Sequence, residues 1–161
     1  MLTAIAYRYV KRLRSRRERA SSPQVSTAQS AAEGEVRAVI DRFLDAAGRL
    51  DFDAMAALFA PGASIGGAVL RDGRWVTTAQ SAEDFLATER RRGYDTPYQE
   101  PVGHWTVHCD DGQIAFVRAD ATIVLGGQVR SRNIDYFTLL RDGDGAWKIV
   151  NGSYTAKPLA P

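Results

Sequence analysis

The spacing of the turn signals after residue 100 constrains this chain more than any other feature. Four strand-like runs, Gly103–Cys109, Gln113–Leu125, Gln128–Leu140 and Ala146–Ala156, are separated by Asp110-Asp111-Gly112, Gly126-Gly127 and Arg141-Asp142-Gly143-Asp144-Gly145. Glycine and aspartate at these points tolerate the backbone conformations of tight hairpins, so successive runs pair antiparallel as a meander. Strands of this length bend or bulge, and a curved sheet wraps helices and encloses a pocket.

Helical patterns come first. Val36, Val39, Ile40, Phe43, Leu44 and Ala47 form one apolar face of a helix over roughly Glu33 to Arg49. Asp51 is the expected N-cap of a second, short helix that buries Phe52, Met55, Leu58 and Phe59 and stops at Pro61-Gly62. A glycine-rich strand, Ala63 to Leu70, turns at Arg71-Asp72-Gly73 and returns over Arg74 to Thr78. Ser81 and Asp84 open a third helix, anchored by Phe85 and Leu86 ahead of Arg90-Arg91-Arg92. Helices followed by an antiparallel sheet define an α+β class.

At 161 residues, 45% hydrophobic and 25% charged, the chain has the composition of a single globular domain. It contains no apolar run near the roughly 20 residues of a membrane span. Cys109 is the only cysteine, which excludes an internal disulfide framework and a cysteine-rich zinc site. The net charge of +2 hides a division: residues 1–20 carry seven basic residues and one acid, which leaves the remainder at −4. A nucleic-acid reading from the overall basicity would therefore mistake a tail for a domain.

In residues 1–20, Leu2, Ile5, Ala6, Tyr9, Val10 and Leu13 fall on one helical face, with Arg8, Lys11, Arg12 and Arg14 off it. Three readings of this leader compete: an organelle transit peptide, an attachment to an anionic surface, and an unanchored extension. The apolar residues precede the basic cluster, which argues against a secretory signal, and the body is expected in the cytoplasm unless the leader directs organelle import. Residues 21–32 (SSPQVSTAQSAA) read as a flexible linker, and Ser30 with Glu33 has capping-box spacing for the start of the folded body, residues 33–157.

Two stretches carry a resemblance. RFLDAAGRLDFDAMAALFAPGASI, Arg42 to Ile65, and IDYFTLLRDGDGAWKIVNGSY, Ile134 to Tyr154, resemble the nuclear-transport-factor-2-like superfamily, and the second is closest to its SnoaL-like and lumazine-binding-type branches. The resemblance implies a cone: three helices inside a strongly curved, mainly antiparallel sheet, with a pocket at the wide end. Members include isomerases, dehydratases, cyclases, association domains and plain binders, so fold alone does not assign the reaction.

Asp135 is the leading candidate site residue. The resemblance implies that a carboxyl at this strand position acts as a protonated acid or as a base, and burial in an apolar pocket raises its pKa toward either use. The competing expectation is an ion pair. If Gly126-Gly127 makes an even two-residue hairpin, Leu125 faces Gln128 and Arg118 lies directly opposite Asp135. The resemblance also aligns Phe43 with the oxyanion-hole tyrosine of ketosteroid isomerases and Gly67 with their aspartate base. Neither residue can do that work, so 3-oxosteroid isomerisation is not expected.

His104 is the second candidate for acid–base work, since a histidine stands in a similar place in scytalone-dehydratase-like members. Simple alternation through even hairpins puts His104 and His108 on the face opposite Asp135; a bulge would reverse this. The same alternation gathers Trp105, Arg118, Asp120, Phe137 and Leu139 on the Asp135 face, with Tyr154 joining from the last strand. Phe43, Trp105, Arg118, Phe137 and Tyr154 are therefore the expected ligand-binding residues. Ala115, Val117, Ala119, Ala121 and Ile123 are expected on the outer face, where they would be covered by a second subunit in a homodimer. Two histidines and scattered acids supply no third metal ligand at motif spacing, and no motif calls for a cofactor. The leading function is binding of a small, partly aromatic or polycyclic molecule. The alternatives are a cofactor-independent isomerase, dehydratase or cyclase using Asp135 with His104 or Tyr154, and a homo-oligomeric interaction domain.

Overall fold

A computed structural model describes residues 27–159, so the basic leader and the first part of the expected linker lie outside the described residues. Helix α1 spans Thr27–Gly48 and α2 Phe52–Leu58. Strands β1 (Phe59–Arg71) and β2 (Arg74–Ser81) precede α3 (Ala82–Arg92). Four strands complete the chain: β3 (Val102–Asp110), β4 (Ile114–Leu125), β5 (Gln128–Arg141) and β6 (Trp147–Pro158).

The caps follow from sequence chemistry. Asp51 accepts a hydrogen bond from Ala54 N at 3.0 Å, and Ser81 Oγ accepts one from Asp84 N at 3.0 Å, each relieving an amide the helix leaves unpaired. Gly93 closes α3 in the left-handed conformation, φ 64°. Two boundaries differ from expectation. The linker ends early, because the alanine-rich end of residues 21–32 has high helix propensity and Ala32 is buried in the core. Ser30 accordingly lies inside α1 rather than at its start. Pro61-Gly62 does not terminate α2 either. The helix yields to strand at Phe59, and Gly62 (φ 75°) sits where the β1–β6 register shifts between Phe59 and Ser64.

The six strands form one sheet in the order β2-β1-β6-β5-β4-β3. Only β1 and β6 run parallel; every other neighbouring pair is antiparallel. Helix α1 packs on β3, β4 and β6, while α3 packs on β1 and β2. Val36 and Ile40 of α1 share one core cluster with Val117, Leu139 and Ile149 of the sheet, and all five are fully buried. This is the expected α+β cone, three helices held by a curved sheet that does not close.

The register decides which residues face the helices, and two of its departures from even hairpins set the relation of β3, β4 and β5 at Asp135. Asp110 pairs with Ile114, so the β3–β4 loop has three residues, with Asp111 (φ 50°) and Gly112 (φ 66°) both left-handed. Strands β4 and β5 begin as expected, Leu125 opposite Gln128. Their pairing then slips, from Val124 opposite Val129 to Ile123 opposite Ser131, leaving Arg130 as the extra residue of a bulge.

Beyond that bulge Asp135 lies opposite Ala119, and Arg118 lies opposite Tyr136. The expected Arg118–Asp135 pairing is thus corrected: the two side chains are on opposite faces of the sheet. Ala115, Val117, Ala119 and Ala121 turn inward and are buried, which corrects their assignment to an outer subunit interface. Their small size serves close approach of the helices instead. Between β3 and β5 the two offsets cancel. Trp105, opposite Ala119, keeps the Asp135 face, and His104 and His108 keep the other.

This packing makes a direct prediction. Ala119→Leu overfills the inner face and lowers unfolding stability by about 1–3 kcal/mol, whereas Arg118→Leu on the outer face changes it by about 0.5 kcal/mol. Urea denaturation of the two variants distinguishes these outcomes.

Candidate functional site

The concave face of the sheet and the three helices enclose a cavity of about 200 Å³. Phe43 and Leu44 come from α1, Met55 from α2, Phe85 from α3, and Ile65 and Phe137 from the sheet. Phe43 stands edge-on to both Phe59 and Phe137, with ring centres 5.4 and 5.6 Å away, so this wall is a fixed aromatic cluster. Ala47, Met55, Phe85 and Tyr98 also line an adjoining hollow of about 330 Å³ that reaches Phe52, Tyr94 and Arg130. Larger hollows of about 830 and 850 Å³ exist, but neither contains Asp135.

Among the described residues Asp135 is the one charged or polar side chain that is buried, 5% exposed, and it lines the cavity. Its Oδ2 is buried without a hydrogen-bond partner among the described residues. Burial pushes its carboxyl up to about 8, with the nearby Glu100 and then Asp120 adding repulsion. At neutral pH Asp135 therefore holds its proton and presents an O–H donor to the cavity.

The neighbours of Asp135 come from three directions. Tyr154 of β6 is its direct cross-strand partner, and burial raises the Tyr154 phenol above its ordinary value. Gly67 makes room for that ring: a Cβ at Gly67 would lie 2.3 Å from Tyr154 Cζ. From the segment before β3, Tyr98 and Glu100 reach the cavity, and burial raises both of them. Asn133 Nδ2 donates to Glu100 Oε1 at 2.9 Å, and Ser131 Oγ donates to Asn133 Oδ1 at 2.8 Å. At the rim, Arg92 Nη1 pairs with Glu89 Oε1 at 2.6 Å.

Of the candidates read from sequence, the structure brings Asp135, Phe43, Phe137 and Tyr154 to this cavity. The other three lie elsewhere. Arg118 is on the outer face, where Nε and Nη2 make a two-pronged pair with Asp120 at 2.7 and 3.2 Å and the guanidinium lies over Tyr136. That pairing holds the Asp120 carboxyl below its ordinary range. His104 is opposite Asp120 on the same outer face, so the sheet separates it from Asp135. Trp105 does face inward, but Arg37 of α1 stacks on it at 4.9 Å and it does not reach the cavity. Strand parity accounts for Arg118 alone, which the bulge in β5 leaves on the outer face; His104 lies on the outer face that even alternation expects, and Trp105 keeps the inner face.

Sequence reasoning passed over Glu100, Asn133 and Tyr98. One signal was present: Asn133 is two residues before Asp135 on a strand and so shares its face. Nothing comparable marked Glu100. It sits in an irregular segment held by the isolated bridge of Gln99 to Val124 and by Tyr98 N donating to Gly48 O. Among the described residues no cluster of metal-ligating side chains occurs, and no helix is long and apolar enough to cross a membrane.

The fold is an α+β cone with a buried acidic group lining a cavity between helices and sheet. Residues 36–156 match the model of the SnoaL-like domain, and the chain belongs to that family. Solved structures agree on the fold. An NTF2-like protein of unknown function from Shewanella baltica superposes with a TM-score of 0.62 at 20% identity, covering 83% of this chain and 98% of its own. A ketosteroid isomerase-like protein from Erwinia carotovora gives 0.53 at 21% identity, covering 80% and 97%. An NTF2-like protein from Streptomyces avermitilis, provisionally described as a dehydratase, gives 0.59 at 19% identity, covering 82% and 99%. A search of curated proteins finds no significant match.

Two predictions follow from the cavity. Asp135 binds its proton more tightly folded than unfolded, so it favours the folded state most below pH about 4, and this contribution is lost as pH rises toward 8. Asp135→Asn flattens that fall, whose upper bound is about 6 kcal/mol, in chemical denaturation repeated across the range. Gly67→Ala destabilises the protein by displacing the Tyr154 ring, by about 1–3 kcal/mol, and Gly67→Ala in a Tyr154→Ala background costs measurably less.

Proposed function

We propose that this protein binds a small, partly aromatic organic molecule in the Asp135 cavity. The observation that carries this reading is the buried, unpartnered Oδ2 of Asp135 at the end of an apolar chamber. Such a group is costly to leave unpaired, and a ligand acceptor would satisfy it. The cavity and its adjoining hollow together reach the usual size of ligand sites, roughly 300–1,000 Å³. The aromatic wall of Phe43 and Phe137 suits a flat ring.

A second reading, proton-transfer catalysis of the isomerase or dehydratase type, is favoured by the cross-strand placement of Tyr154 opposite Asp135, both lining the cavity. His104 is no longer its partner in that reading, because it lies behind the sheet. The 3-oxosteroid reaction stays disfavoured: Phe43 donates no hydrogen bond, and the Tyr154 ring fills the space above Gly67 where a base would project. Homodimer formation through the outer sheet face loses its original support, the alanine-rich stripe. It rests now on Phe116 and Tyr136, each 48% exposed on that face.

Native mass spectrometry of the intact protein tests the leading reading. A co-purified molecule is expected, released on denaturation and reduced at least tenfold in Asp135→Leu, which matches a loss of about 1.4 kcal/mol. A variant that retains the molecule undiminished would remove Asp135 from the site.

A further inference from the structure

Three carboxyls line the cavity; Glu89 is paired with Arg92 at the rim, and the polar chain behind the other two, Asp135 and Glu100, is ordered in a way that distinguishes their roles. Asn133 and Asp135 are two apart on β5, so both side chains leave the same face of the sheet. The Ser131 hydroxyl donates to Asn133 Oδ1, which turns the amide nitrogen toward Glu100 Oε1. Glu100 thereby accepts a donor that favours its ionised form, while Asp135 Oδ2 accepts none. Two carboxyls in one apolar space do not both ionise readily, so the pair holds a single proton, and the amide directs it to Asp135.

The surrounding charges leave this assignment intact. The Tyr98 and Tyr154 phenols are both raised above their ordinary values. Arg92 of α3 is engaged by Glu89 at the rim. Asp120 of β4 is held by Arg118 behind the sheet, and Asp41 and Asp45 of α1 border a groove that also touches Glu100. Each additional acid works against a second negative charge at the pair.

We propose that Asp135 and Glu100 act as one two-carboxyl, single-proton site that takes a small uncharged ligand presenting a hydrogen-bond acceptor beside a donor, as a carboxamide or lactam does. The Asp135 O–H donates to the ligand carbonyl, and the Glu100 carboxylate accepts from the ligand N–H. A ligand carboxylate would meet the charge of Glu100 instead. A ligand cation would have to strip the proton from Asp135. The ligand class rests on the cavity being a binding site; the shared proton does not.

Three ring-matched probes test the ligand class: benzamide, benzoate and benzamidinium, titrated calorimetrically into the full-length protein at pH 6.5. Benzamide is expected to bind at least tenfold more tightly than either ion, and to weaken as pH passes about 8, where Asp135 ionises. Equal or tighter binding of benzoate or benzamidinium, or failure of benzamide to bind, overturns the ligand class. The pair itself is read by carboxyl carbon NMR of Asp135. Glu100→Gln removes the neighbouring charge and lowers the Asp135 midpoint by about one pH unit, a tenfold change in proton affinity. An elevated midpoint that does not move in Glu100→Gln overturns the pair and leaves the cavity reading standing. A wild-type midpoint in the ordinary carboxyl range overturns the pair and also removes the acidic donor from the proposed binding site.

Discussion

The bulge at Arg130 is the constraint on which the rest of the sheet depends. A strand shows alternate side chains to its two faces, so one extra residue exchanges the faces for everything beyond it. Past Arg130, that exchange turns Asp135, Phe137 and Leu139 toward the helices together with Ala115, Val117, Ala119 and Ala121 of β4. Without it, either β5 would present Ile134, Tyr136 and Thr138 to the core, or Asp135 would face Arg118. The first would bury the wrong shapes, and the second would ionise the acid.

That arrangement produces a cavity with a division of labour. Aromatic residues from α1 and β5 build a rigid apolar wall, and the polar groups gather at one end. There the absence of a side chain matters as much as its presence. Gly67 leaves space for the ring of Tyr154, the cross-strand neighbour of Asp135, and offers no carboxylate of its own. Desolvation sets the chemistry of this end: it keeps Asp135 protonated and raises Glu100, Tyr98 and Tyr154 with it.

Much of the fold was legible in the residues. The Asp51 and Ser81 caps, the apolar face of α1 and the four strand-like runs of the meander needed only local chemistry and periodicity. The place of Phe43 on the apolar face of α1 was readable the same way, and Phe137 shares the face of Asp135 by simple alternation. Boundaries failed where propensity overrode a turn signal, as when the alanine-rich end of the linker became helix and Pro61-Gly62 was absorbed into a β1 irregularity. Arg118 and the alanine stripe were misplaced by parity, since neither a three-residue β3–β4 loop nor a one-residue bulge is distinguishable from an even hairpin by composition. Trp105 shared the right face yet lies under Arg37, a contact between elements far apart in sequence.

By itself, then, the sequence determined the α+β class, the order of its elements and a carboxyl on a strand of the sheet. Periodicity and capping are local properties, readable within a few residues. Only the tertiary structure decided that Asp135 is buried without a partner and that Glu100, from an irregular segment, joins it with Asn133. It also put His104 behind the sheet. Those outcomes depend on strand register and on long-range approach, which are set by how the whole inner face packs against the helices and by no residue pattern along the chain.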